Sequence, residues 1–381
     1  MRGFSQVDYK KTPFVIIWET TQACDLSCRH CRASAQPNRH PRELTTVEGK
    51  DLLRQAAELG TPVFVLSGGD PLKRPDLCEL VRHGAGLDLR MATIPAATSL
   101  LTEDAVAGLK EAGLSQMALS LDFPRPQLHD MFRGVPGAYA RTMMAVEWAH
   151  KHRLPVQINS TICGESAPYL AQLARLIQQL GIVFWEVFFL VPVGRGKSLQ
   201  GLTPAQCENL FAILYRVQAG ARFVVKVTEA PHYRRYVAMR EWGESGGNRV
   251  PGQPVRDLPS QLLRSEGPGH TIGLASHGVN AGKGFLFISH TGEVYPSGFL
   301  PVSAGNIRGR SLRHIYRETE LFRQLRKPEL LKDACGRCEF KSICGGSRSR
   351  AFALTGDYLA SDPWCAYEPK VRESAYRGTM V

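Results

Sequence analysis

A regular alternation of short β-rich segments and longer helical segments, from residue 13 to about residue 190, most constrains the fold of this chain. Six runs have the composition of strands, at positions 14–19, 63–67, 87–94, 116–122, 156–162 and 184–191. Between them, apolar residues recur at helical spacing over 46–59, 102–111, 138–152 and 168–180. Strands that alternate with helices pair in parallel, and such sheets carry functional residues in the loops after the strand carboxyl ends. The pattern therefore predicts an α/β fold with its site at that edge.

The second half of the chain is less regular. A further helix and strand are predicted at 204–218 and 222–229. The segment 243–284 is rich in Gly and Pro, which indicates an irregular linker, a long active-site loop or a disordered connector. After it, 285–289 and 292–295 are predicted to form a β-hairpin around His290 and Thr291.

Composition and charge narrow the class of protein. Hydrophobic residues make up 43% and charged residues 22%, which excludes disorder of the whole chain. The longest apolar runs are too short to cross a bilayer, and residues 1–11 lack the apolar stretch of a signal peptide, so we expect a cytoplasmic protein that does not bind membranes. Net charge is +12, with 34 Arg against 13 Lys, and residues 308–350 hold twelve basic and five acidic side chains. These residues are predicted to form a local basic patch.

Ten cysteines need an explanation, because disulfides are not expected in the cytoplasm. Three of them, Cys78, Cys163 and Cys207, stand alone in apolar surroundings and are expected to be small buried side chains. The other seven form two groups: Cys24, Cys28 and Cys31 near the start, and Cys335, Cys338, Cys344 and Cys365 near the end.

The first group, CDLSCRHC, directly follows the first predicted strand. Three thiolates on a four-iron cluster leave one iron open to a substrate or cofactor. Zinc is the alternative, but a tetrahedral zinc site needs a fourth ligand, which no residue supplies at the usual spacing. This CxxxCxxC motif in this position resembles the signature of the radical S-adenosylmethionine (radical SAM) superfamily. The resemblance implies a [4Fe-4S] cluster held by Cys24, Cys28 and Cys31, with S-adenosylmethionine as the second cofactor.

Further segments resemble the family pattern in the right order. At the end of the second strand, Gly68, Gly69, Asp70 and Pro71 resemble the segment that binds the amino group of S-adenosylmethionine. Asp stands there in place of the more common Glu, and a cap for the following turn is the alternative role of Asp70. The resemblance also assigns cofactor binding to residues in the cysteine motif and after strands four to six: His30, Ser120, Asp122, Asn159, Val193 and Gly194. Ser120, Asp122 and Asn159 are expected near the ribose, and the glycine-containing segment 191–196 along the adenine.

The second cysteine group resembles the SPASM/twitch extensions of radical SAM enzymes, which bind auxiliary clusters. A full SPASM domain needs further cysteines, and Ser297, Ser347 and Arg348 stand where they would be sought. Cys335, Cys338, Cys344 and Cys365 suffice for one auxiliary [4Fe-4S] cluster, with a zinc knuckle as the alternative. The predicted fold is a partial (β/α)6 TIM-like barrel with a small C-terminal iron–sulfur domain. Its parts are a radical SAM core at 10–230, a connector or active-site loop at 231–283, and the auxiliary domain at 284–370.

In detail, WETTQACDLSCRHCRA, SGGDPLKRPDL, HDMFRGVPGAY and CGRCEFKSICGGSRSRA are most similar to enzymes of the alternative haem and haem-d branch. The resemblance implies reductive cleavage of S-adenosylmethionine to a 5′-deoxyadenosyl radical that abstracts a substrate hydrogen. The substrate class we favour is a small molecule, a carboxylated tetrapyrrole, and the candidate carboxylate partners are Arg133, Arg195, Arg348 and Arg350.

Two other functions are weighed against this one. Modification of a ribosomally made peptide is less favoured, because the first strand begins by residue 13 and leaves no room for a precursor-recognition domain before it. A basic iron–sulfur protein that binds nucleic acid is a remote alternative, since the S-adenosylmethionine motifs argue against it. We expect ferredoxin or flavodoxin to dock on residues 308–350 as electron donor. The sequence identifies no catalytic side chain.

Overall fold

The computed structural model describes residues 7–244 and 278–369. These residues form one ten-stranded sheet in the order β10-β9-β8-β1-β2-β3-β4-β5-β6-β7. Its strands are β1 Val15–Glu19, β2 Val63–Ser67, β3 Arg90–Thr93, β4 Gln116–Ser120, β5 Val156–Ile162, β6 Phe184–Phe189, β7 Val224–Thr228, β8 Phe285–Ile288, β9 Glu293–Tyr295 and β10 Gly305–Asn306. All pairs from β8 through β1 to β7 are parallel, while β9 and β10 are added antiparallel.

Twelve α-helices lie in the described residues. They are α1 Thr46–Glu58, α2 Leu77–Gly86, α3 Glu103–Glu111, α4 Pro126–Arg133, α5 Ala138–Lys151, α6 Leu170–Ile177, α7 Pro204–Gly220, α8 His232–Glu244, α9 Leu312–Glu318, α10 Glu320–Leu325, α11 Asp333–Arg337 and α12 Arg348–Thr355. Across 7–244 and 278–369, no helix combines the length and hydropathy of a membrane span.

The predicted α/β fold with a partial barrel is confirmed, with differences at its edges. All six strands are present, but β3 is shorter than 87–94, because residues 87–89 form the turn that follows α2. Helices α2, α4 and α8 were not predicted, and the first two are short helices of ten and eight residues. The predicted hairpin is β8 and β9, and β8 pairs in parallel with β1. The parallel sheet therefore continues into the segment that the sequence assigns to the auxiliary domain.

The connector predicted at 231–283 is only partly described. Residues 245–277 lie outside the described residues, and of the remainder α8 is helical. The isolated cysteines follow expectation in part, since Cys163 and Cys207 are buried while Cys78 is half-buried.

Alternation of side chains along β1 separates two apolar regions. Ile16 and Trp18 are fully buried against the helices. Val15 and Ile17, which point the other way, line a cavity inside the curved sheet. The same division holds in β2, where Val63 and Val65 line the cavity and Phe64 packs under the helices. The inward-facing side chains of the strands therefore form the wall of a cavity inside the curved sheet.

The C-terminal segment folds back on itself through a buried ion pair. Helix α12 ends at Gly356, which is left-handed with φ of 80°. Beyond the turn, both carboxylate oxygens of Asp362 accept hydrogen bonds from Arg350, at 2.8 and 2.7 Å. Trp364 lies under the Arg350 guanidinium, with its ring centroid 4.3 Å away. Neither charged side chain is exposed. The pair therefore carries the chain back toward α12 and places Cys365 beside it.

We predict that Asp362→Ala destabilises the protein by about 3–5 kcal/mol, because it leaves a buried guanidinium without its carboxylate. Urea unfolding of the cluster-loaded protein under anaerobic conditions measures the effect. The control is Glu318→Ala, since Glu318 forms a half-exposed ion pair with Arg323 and should cost no more than about 1 kcal/mol. Equal losses for the two variants would contradict the role of the Arg350–Asp362 pair.

Candidate functional site

The first cysteine group lies in the loop that follows β1. Cys28 is buried, while Cys24 and Cys31 are half-buried. The loop is closed by backbone hydrogen bonds from the Cys24 N–H to the Gln36 carbonyl and from the Cys31 N–H to the Cys28 carbonyl, at 2.8 and 3.2 Å. Burial raises the pKa of Cys24 to about 12 and also raises that of Cys28. Iron binding requires thiolates, which are favoured by the metal itself and by positive charge on neighbouring side chains.

Arg133 supplies such a charge. Its guanidinium lies 3.8 Å from the Cys28 sulfur and pairs with Asp122 at 2.5 Å. Asp122 is fully buried, and its other oxygen accepts the Thr161 N–H at 2.8 Å. Burial alone would raise the pKa of Asp122, but Arg133 and its other neighbours hold it below the usual value. Asp122 thus anchors Arg133, and its expected contact with the ribose stays a prediction.

The remaining residues assigned to the cofactor surround this loop. His30 stacks on Phe132 with ring centroids 4.6 Å apart, and burial, assisted by Arg133, lowers the pKa of His30 to about 3. Ser120 and Asn159 are paired neighbours in the β4–β5 register. Ser120 is half-buried, and the Asn159 side chain accepts a hydrogen bond from Gln157 at 2.7 Å. Ser120 and Asn159 therefore lie side by side on neighbouring strands, and their contact with a shared ligand stays a prediction.

Asp70 takes the capping role. Its carboxylate accepts hydrogen bonds from the Leu72 N–H at 3.1 Å, the Ala96 N–H at 3.3 Å and the Thr98 hydroxyl at 2.7 Å. It begins a single 3₁₀ turn whose first residue is the buried Pro71. Burial raises the pKa of Asp70. The alternative that the sequence left open is thus realised, and contact of Asp70 with an amino group stays a prediction.

Glycines after β2 and after β6 allow these two strand ends to approach the first cysteine loop closely. At the end of β2, the Gly69 N–H bonds to the Thr21 carbonyl at 2.7 Å, and a Cβ on Gly69 would lie 2.5 Å from the Ala23 carbonyl oxygen. Gly68 is equally close to Thr21. After β6, Val193 begins a 3₁₀ segment in which Gly194 has φ of 54°. A Cβ on Gly194 would lie 2.5 Å from the Cys31 carbonyl oxygen. No larger residue fits at either place without displacing the loop.

The second cysteine group converges on one small cavity of about 50 Å³, lined by Cys335, Cys338, Cys344 and Cys365. The Gly346 N–H points at the Cys344 sulfur at 3.4 Å, and Arg348 lies 3.8 Å from the Cys335 sulfur. In residues 7–244 and 278–369, no three Cys, His, Asp or Glu side chains are close enough to hold a single metal ion. Four separated thiols around a cavity with cationic and N–H donors suit an iron–sulfur cluster better than zinc.

The first group passes a similar test of fit. Two buried polar atoms beside the loop, His30 Nδ1 and Arg195 Nη2, have no hydrogen-bond partner within the described part of the chain. Buried polar atoms are normally satisfied, so their positions fit a bound group at the loop. The Arg195 Nε–H bonds to the Cys28 carbonyl at 2.9 Å.

Three serines bond to one carboxylate near the second cysteine group. Ser297, Ser347 and Ser349 donate hydrogen bonds to the carboxylate of Glu229, which follows β7. Two of these serines stand where the sequence suggested that cysteines were missing. All three serine hydroxyls are therefore engaged by the Glu229 carboxylate.

The candidate carboxylate partners of a substrate need correction. Arg133, Arg348 and Arg350 are buried, at 8%, 2% and 0% exposure. Their guanidinium groups bind Asp122, the Tyr358 and Ala360 carbonyls, and Asp362, respectively. Arg195 bonds to the cysteine loop. Arg133, Arg348 and Arg350 are therefore not available to a substrate, because each is buried and engaged in shaping a cysteine segment. Arg195 is half-buried, and its Nη2 has no partner within the described residues, so its contact with a substrate carboxylate stays a prediction.

The interior cavity has a volume of about 460 Å³. Its wall is mainly apolar and includes the rings of Phe14, Phe184, Phe188, Phe285, Phe287 and Phe299. One side carries a polar ladder, in which Gln157 bonds to Gln116 and Glu186 at 2.8 and 2.9 Å. Glu186 also accepts from Thr228 and pairs with Lys226 at 2.8 Å. The alternating polar residues of 156–162 were a signal for this ladder that the sequence analysis did not use.

A second set of residues was missed because its members are distant in sequence. Glu19 binds Arg32 at 2.7 Å and His290 at 2.8 Å, which joins the end of β1, the cysteine loop and the β8–β9 turn. Burial alone would raise the pKa of Glu19, but Arg32 and His290 lower it. Arg32 also lies 4.1 Å over the Phe287 ring at the cavity wall. The first cysteine loop therefore borders the cavity.

Two half-buried cations, Arg234 in the cavity wall and Lys283 near it, lie close to the second cysteine segment. Burial lowers the pKa of Arg234, whose guanidinium donates to the Val279 and Ile343 carbonyls at 2.6 and 3.1 Å. Burial, with Arg234 nearby, lowers the pKa of Lys283 to about 8. Asn280 donates to the Cys344 carbonyl at 3.3 Å and lines the cavity. The second cysteine segment therefore borders the same cavity.

We predict that Gly194→Ala displaces the first cysteine loop and lowers iron content toward the auxiliary share alone, because the added Cβ meets the Cys31 carbonyl. Iron analysis and the visible absorbance of the anaerobically reconstituted protein measure this. Gly137→Ala is the control, since Gly137 also has positive φ, of 83°, but no atom within 4 Å of the added Cβ. Full iron in Gly194→Ala, or equal loss in both variants, would contradict the close approach.

Comparison with known proteins identifies the family. The model of the radical SAM superfamily matches residues 18–177, and that of the SPASM iron–sulfur cluster-binding domain matches residues 280–339. The chain is 39% identical to an AdoMet-dependent heme synthase of Methanosarcina barkeri, over 94% of this chain and 97% of the relative. It is 26% identical to a pre-heme d1 synthase of Dinoroseobacter shibae, over 92% and 85%, and 28% identical to a PqqA peptide cyclase of Rhodopseudomonas palustris, over 94% and 88%.

Solved structures agree on the fold. SuiB of Streptococcus suis bound to S-adenosylmethionine aligns with a TM-score of 0.67 at 17% identity, over 94% of this chain and 78% of that one. The resemblance to haem and haem-d biosynthesis enzymes is confirmed by the relatives. The chain is therefore an enzyme of the radical SAM superfamily with a SPASM domain, and its cofactors are a radical SAM [4Fe-4S] cluster, S-adenosylmethionine and an auxiliary [4Fe-4S] cluster.

Proposed function

We propose that this enzyme acts on a carboxylated porphyrin-type tetrapyrrole bound in the interior cavity. The observation that carries the proposal is the cavity itself, about 460 Å³ in volume and walled largely by aromatic and aliphatic side chains. Arg32 of the first cysteine loop lies in its wall, and the wall residues Arg234 and Asn280 bond to the second cysteine segment. A planar macrocycle is matched by aromatic walls, because flat rings bury large apolar area and stack. The relative from Methanosarcina barkeri, whose name is that of a heme synthase, aligns over nearly the whole of both chains and supports this substrate class.

In this proposal Cys24, Cys28 and Cys31 hold the radical SAM cluster. When bound, the cluster supplies the electron that cleaves S-adenosylmethionine reductively to a 5′-deoxyadenosyl radical. Arg133 places positive charge at Cys28, and the close approach of Gly69 and Gly194 fixes the loop between β2 and β6. These residues position the reactants, which is the main contribution that a protein makes to cofactor chemistry.

The cavity wall contributes the second requirement, exclusion of water from the radical. Apolar side chains from β1, β2, β6 and β8 form most of the wall. Polar side chains lie in the ladder around Gln157 and Glu186, at Arg32, Glu229 and Arg234, and at other wall positions that include Asn280 and Ser297. A substrate with an apolar ring and polar edges would satisfy both kinds of wall.

The auxiliary cluster is assigned in the proposal to Cys335, Cys338, Cys344 and Cys365. The fold-back at Asp362 brings Cys365 to the other three, although 21 residues separate it from Cys344. With serines on Glu229 in place of further thiols, the proposal is one auxiliary cluster and about eight irons per chain in total.

Modification of a peptide is the second candidate. The PqqA peptide cyclase relative, at 28% identity, favours it, but less strongly than the heme synthase relative favours a tetrapyrrole. The experiment that separates them measures 5′-deoxyadenosine by mass spectrometry after anaerobic incubation with reductant. Iron coproporphyrin III, a tetracarboxylate porphyrin, should raise formation of 5′-deoxyadenosine well above the rate with reductant alone. No increase with this porphyrin, together with an increase on adding a peptide fraction of cell extract, would overturn the proposal.

We predict that replacing Cys24, Cys28 and Cys31 together with Ala abolishes cleavage of S-adenosylmethionine while leaving about four irons bound. The physical reason is that the three thiols belong to one site, separate from the auxiliary cavity. Iron analysis and 5′-deoxyadenosine measurement test it, with Cys78→Ala as the control, since Cys78 lies on α2 outside both cysteine groups. Retained cleavage in the triple variant would exclude the assignment, and loss of all iron would contradict two independent sites.

For the electron donor we propose an acidic protein, ferredoxin or flavodoxin, that docks on the basic stretch 308–350. Part of this basic charge is already engaged, since Arg308 pairs with Glu48 and Arg326 bonds to backbone carbonyls. Within the described residues, exposed cations without an acidic partner remain in the stretch: Arg310, Arg313, Lys327 and Arg337. Arg337 lies within the auxiliary cysteine segment, so the remaining charge is close to a cluster.

Activity driven by flavodoxin is therefore predicted to fall with ionic strength far more than activity driven by dithionite, because docking of opposite charges is screened by salt. Replacing Arg310 and Arg313 together with Glu should weaken only the flavodoxin-driven activity. Arg82→Glu, a reversal of an exposed charge on α2, is the matched control. Equal salt dependence for the two reductants would remove the docking surface.

A further inference from the structure

Three basic side chains line the interior cavity: Arg32, Lys226 and Arg234. Two of them are neutralised by carboxylates. Arg32 pairs with Glu19 at 2.7 Å and Lys226 pairs with Glu186 at 2.8 Å. Their charges are therefore already balanced before any ligand enters.

Arg234 differs from both. Among the described residues no carboxylate lies within 4 Å of its guanidinium, which bonds only to the Val279 and Ile343 carbonyls. Glu229, the cavity acid nearest to it in sequence, instead accepts the hydroxyls of Ser297, Ser347 and Ser349. A guanidinium carries five N–H groups, so three remain after these two bonds. Arg234 thus lines the cavity without a carboxylate partner among the described residues, although the Cys344 thiol is close enough to interact with its charge.

A guanidinium that is held at an apolar cavity without a carboxylate partner costs free energy, and an anionic ligand would offset that cost. A carboxylate is the ligand group that fits best, because it accepts two N–H bonds from one guanidinium. Phosphate would match the guanidinium as well, so the choice of a carboxylate rests on the tetrapyrrole class of the proposed substrate.

The position of Arg234 also sets an orientation. Its carbonyl partner Ile343 directly precedes Cys344, and Asn280, next to its other partner, bonds to the Cys344 and Gly346 carbonyls. A carboxylate held by Arg234 would therefore lie at the wall that the cavity shares with the auxiliary cysteine segment.

The geometry points to Arg234 as the residue that binds a carboxylate of the substrate at the auxiliary side of the cavity. This inference rests on the proposed function, and it replaces the three buried arginines, Arg133, Arg348 and Arg350, that the sequence suggested for this role. It makes Arg234 a specificity-determining residue, which distinguishes acid substrates from neutral ones of the same shape.

The test titrates the reconstituted enzyme anaerobically with metal-free coproporphyrin III and with its tetramethyl ester, following porphyrin fluorescence. Wild type should bind the free acid more tightly than the ester. Arg234→Gln should lose about 10- to 100-fold in affinity for the acid and little for the ester, because only the acid offers the charge-assisted bond. Arg240→Gln, an exposed arginine further along α8 and outside the cavity wall, should bind both as wild type does.

The outcomes separate the inference from the proposed function. Wild type that binds neither porphyrin removes the proposed function and the inference with it. Wild type that binds both, with Arg234→Gln unchanged or weakened equally for acid and ester, removes only the inference. If Arg234→Gln fails to load both clusters, Arg234→Lys decides in the same assay. Loss of affinity for the acid alone supports the role of the guanidinium fork, and unchanged affinity overturns it.

Discussion

The ion pair between Asp122 and Arg133 is the interaction on which the first cysteine loop depends. Asp122 follows β4 and Arg133 is the last residue of α4, so the pair ties a strand end to a helix end beneath the loop. At the same helix end, the Arg133 carbonyl accepts a hydrogen bond from the Ser27 N–H, and the Phe132 carbonyl accepts one from the Arg29 N–H. A buried guanidinium without Asp122 would be strongly unfavourable, so the carboxylate is what allows a positive charge to stay beside the Cys28 sulfur. One helix terminus thereby shapes the loop and favours the thiolate that binds iron.

In the second cysteine segment, different residues place positive charge beside a cysteine sulfur. Arg348 approaches the Cys335 sulfur and is held by the Tyr358 and Ala360 carbonyls, while Arg350 and Asp362 close the turn beneath it. Thiolates crowded around a cluster repel one another, and guanidinium groups offset that repulsion while donating hydrogen bonds to sulfur. The arginine excess of this chain is therefore partly an interior property. It cannot be equated with a basic surface or with substrate contacts.

Features that depend on residues close together in the sequence could be predicted, and features that depend on residues far apart in the sequence could not. The strands and the cysteine motif are local patterns, and both were predicted from their own residues. Burial of an arginine is not local, because it depends on where the partner carboxylate falls. Glu229 and Ser347 are 118 positions apart, and His290 and Glu19 are 271 apart, so no spacing rule brings them together. Short helices such as α4 carry too few turns for periodicity to reveal them. The polar ladder on β5 is a different case. Gln157 and Asn159 alternate with apolar residues in the sequence, which indicates a strand with one polar face, and Gln157 on that face lines the cavity.

The two cysteine segments reach the cavity by residues directly attached to them. Arg32 follows Cys31, and Asn280 bonds to the Cys344 carbonyl, and both line the cavity wall. The Glu19–Arg32–His290 contacts and the pairing of β8 with β1 then fix the β8–β9 hairpin to the first cysteine loop. The β8–β9 hairpin cannot move far from the barrel without breaking a parallel strand pair and the contact of His290 with Glu19 together. Because the cavity wall holds both Arg32 of the first cysteine loop and Asn280, which bonds to the second segment, an occupant that fills the cavity contacts the surroundings of both sites.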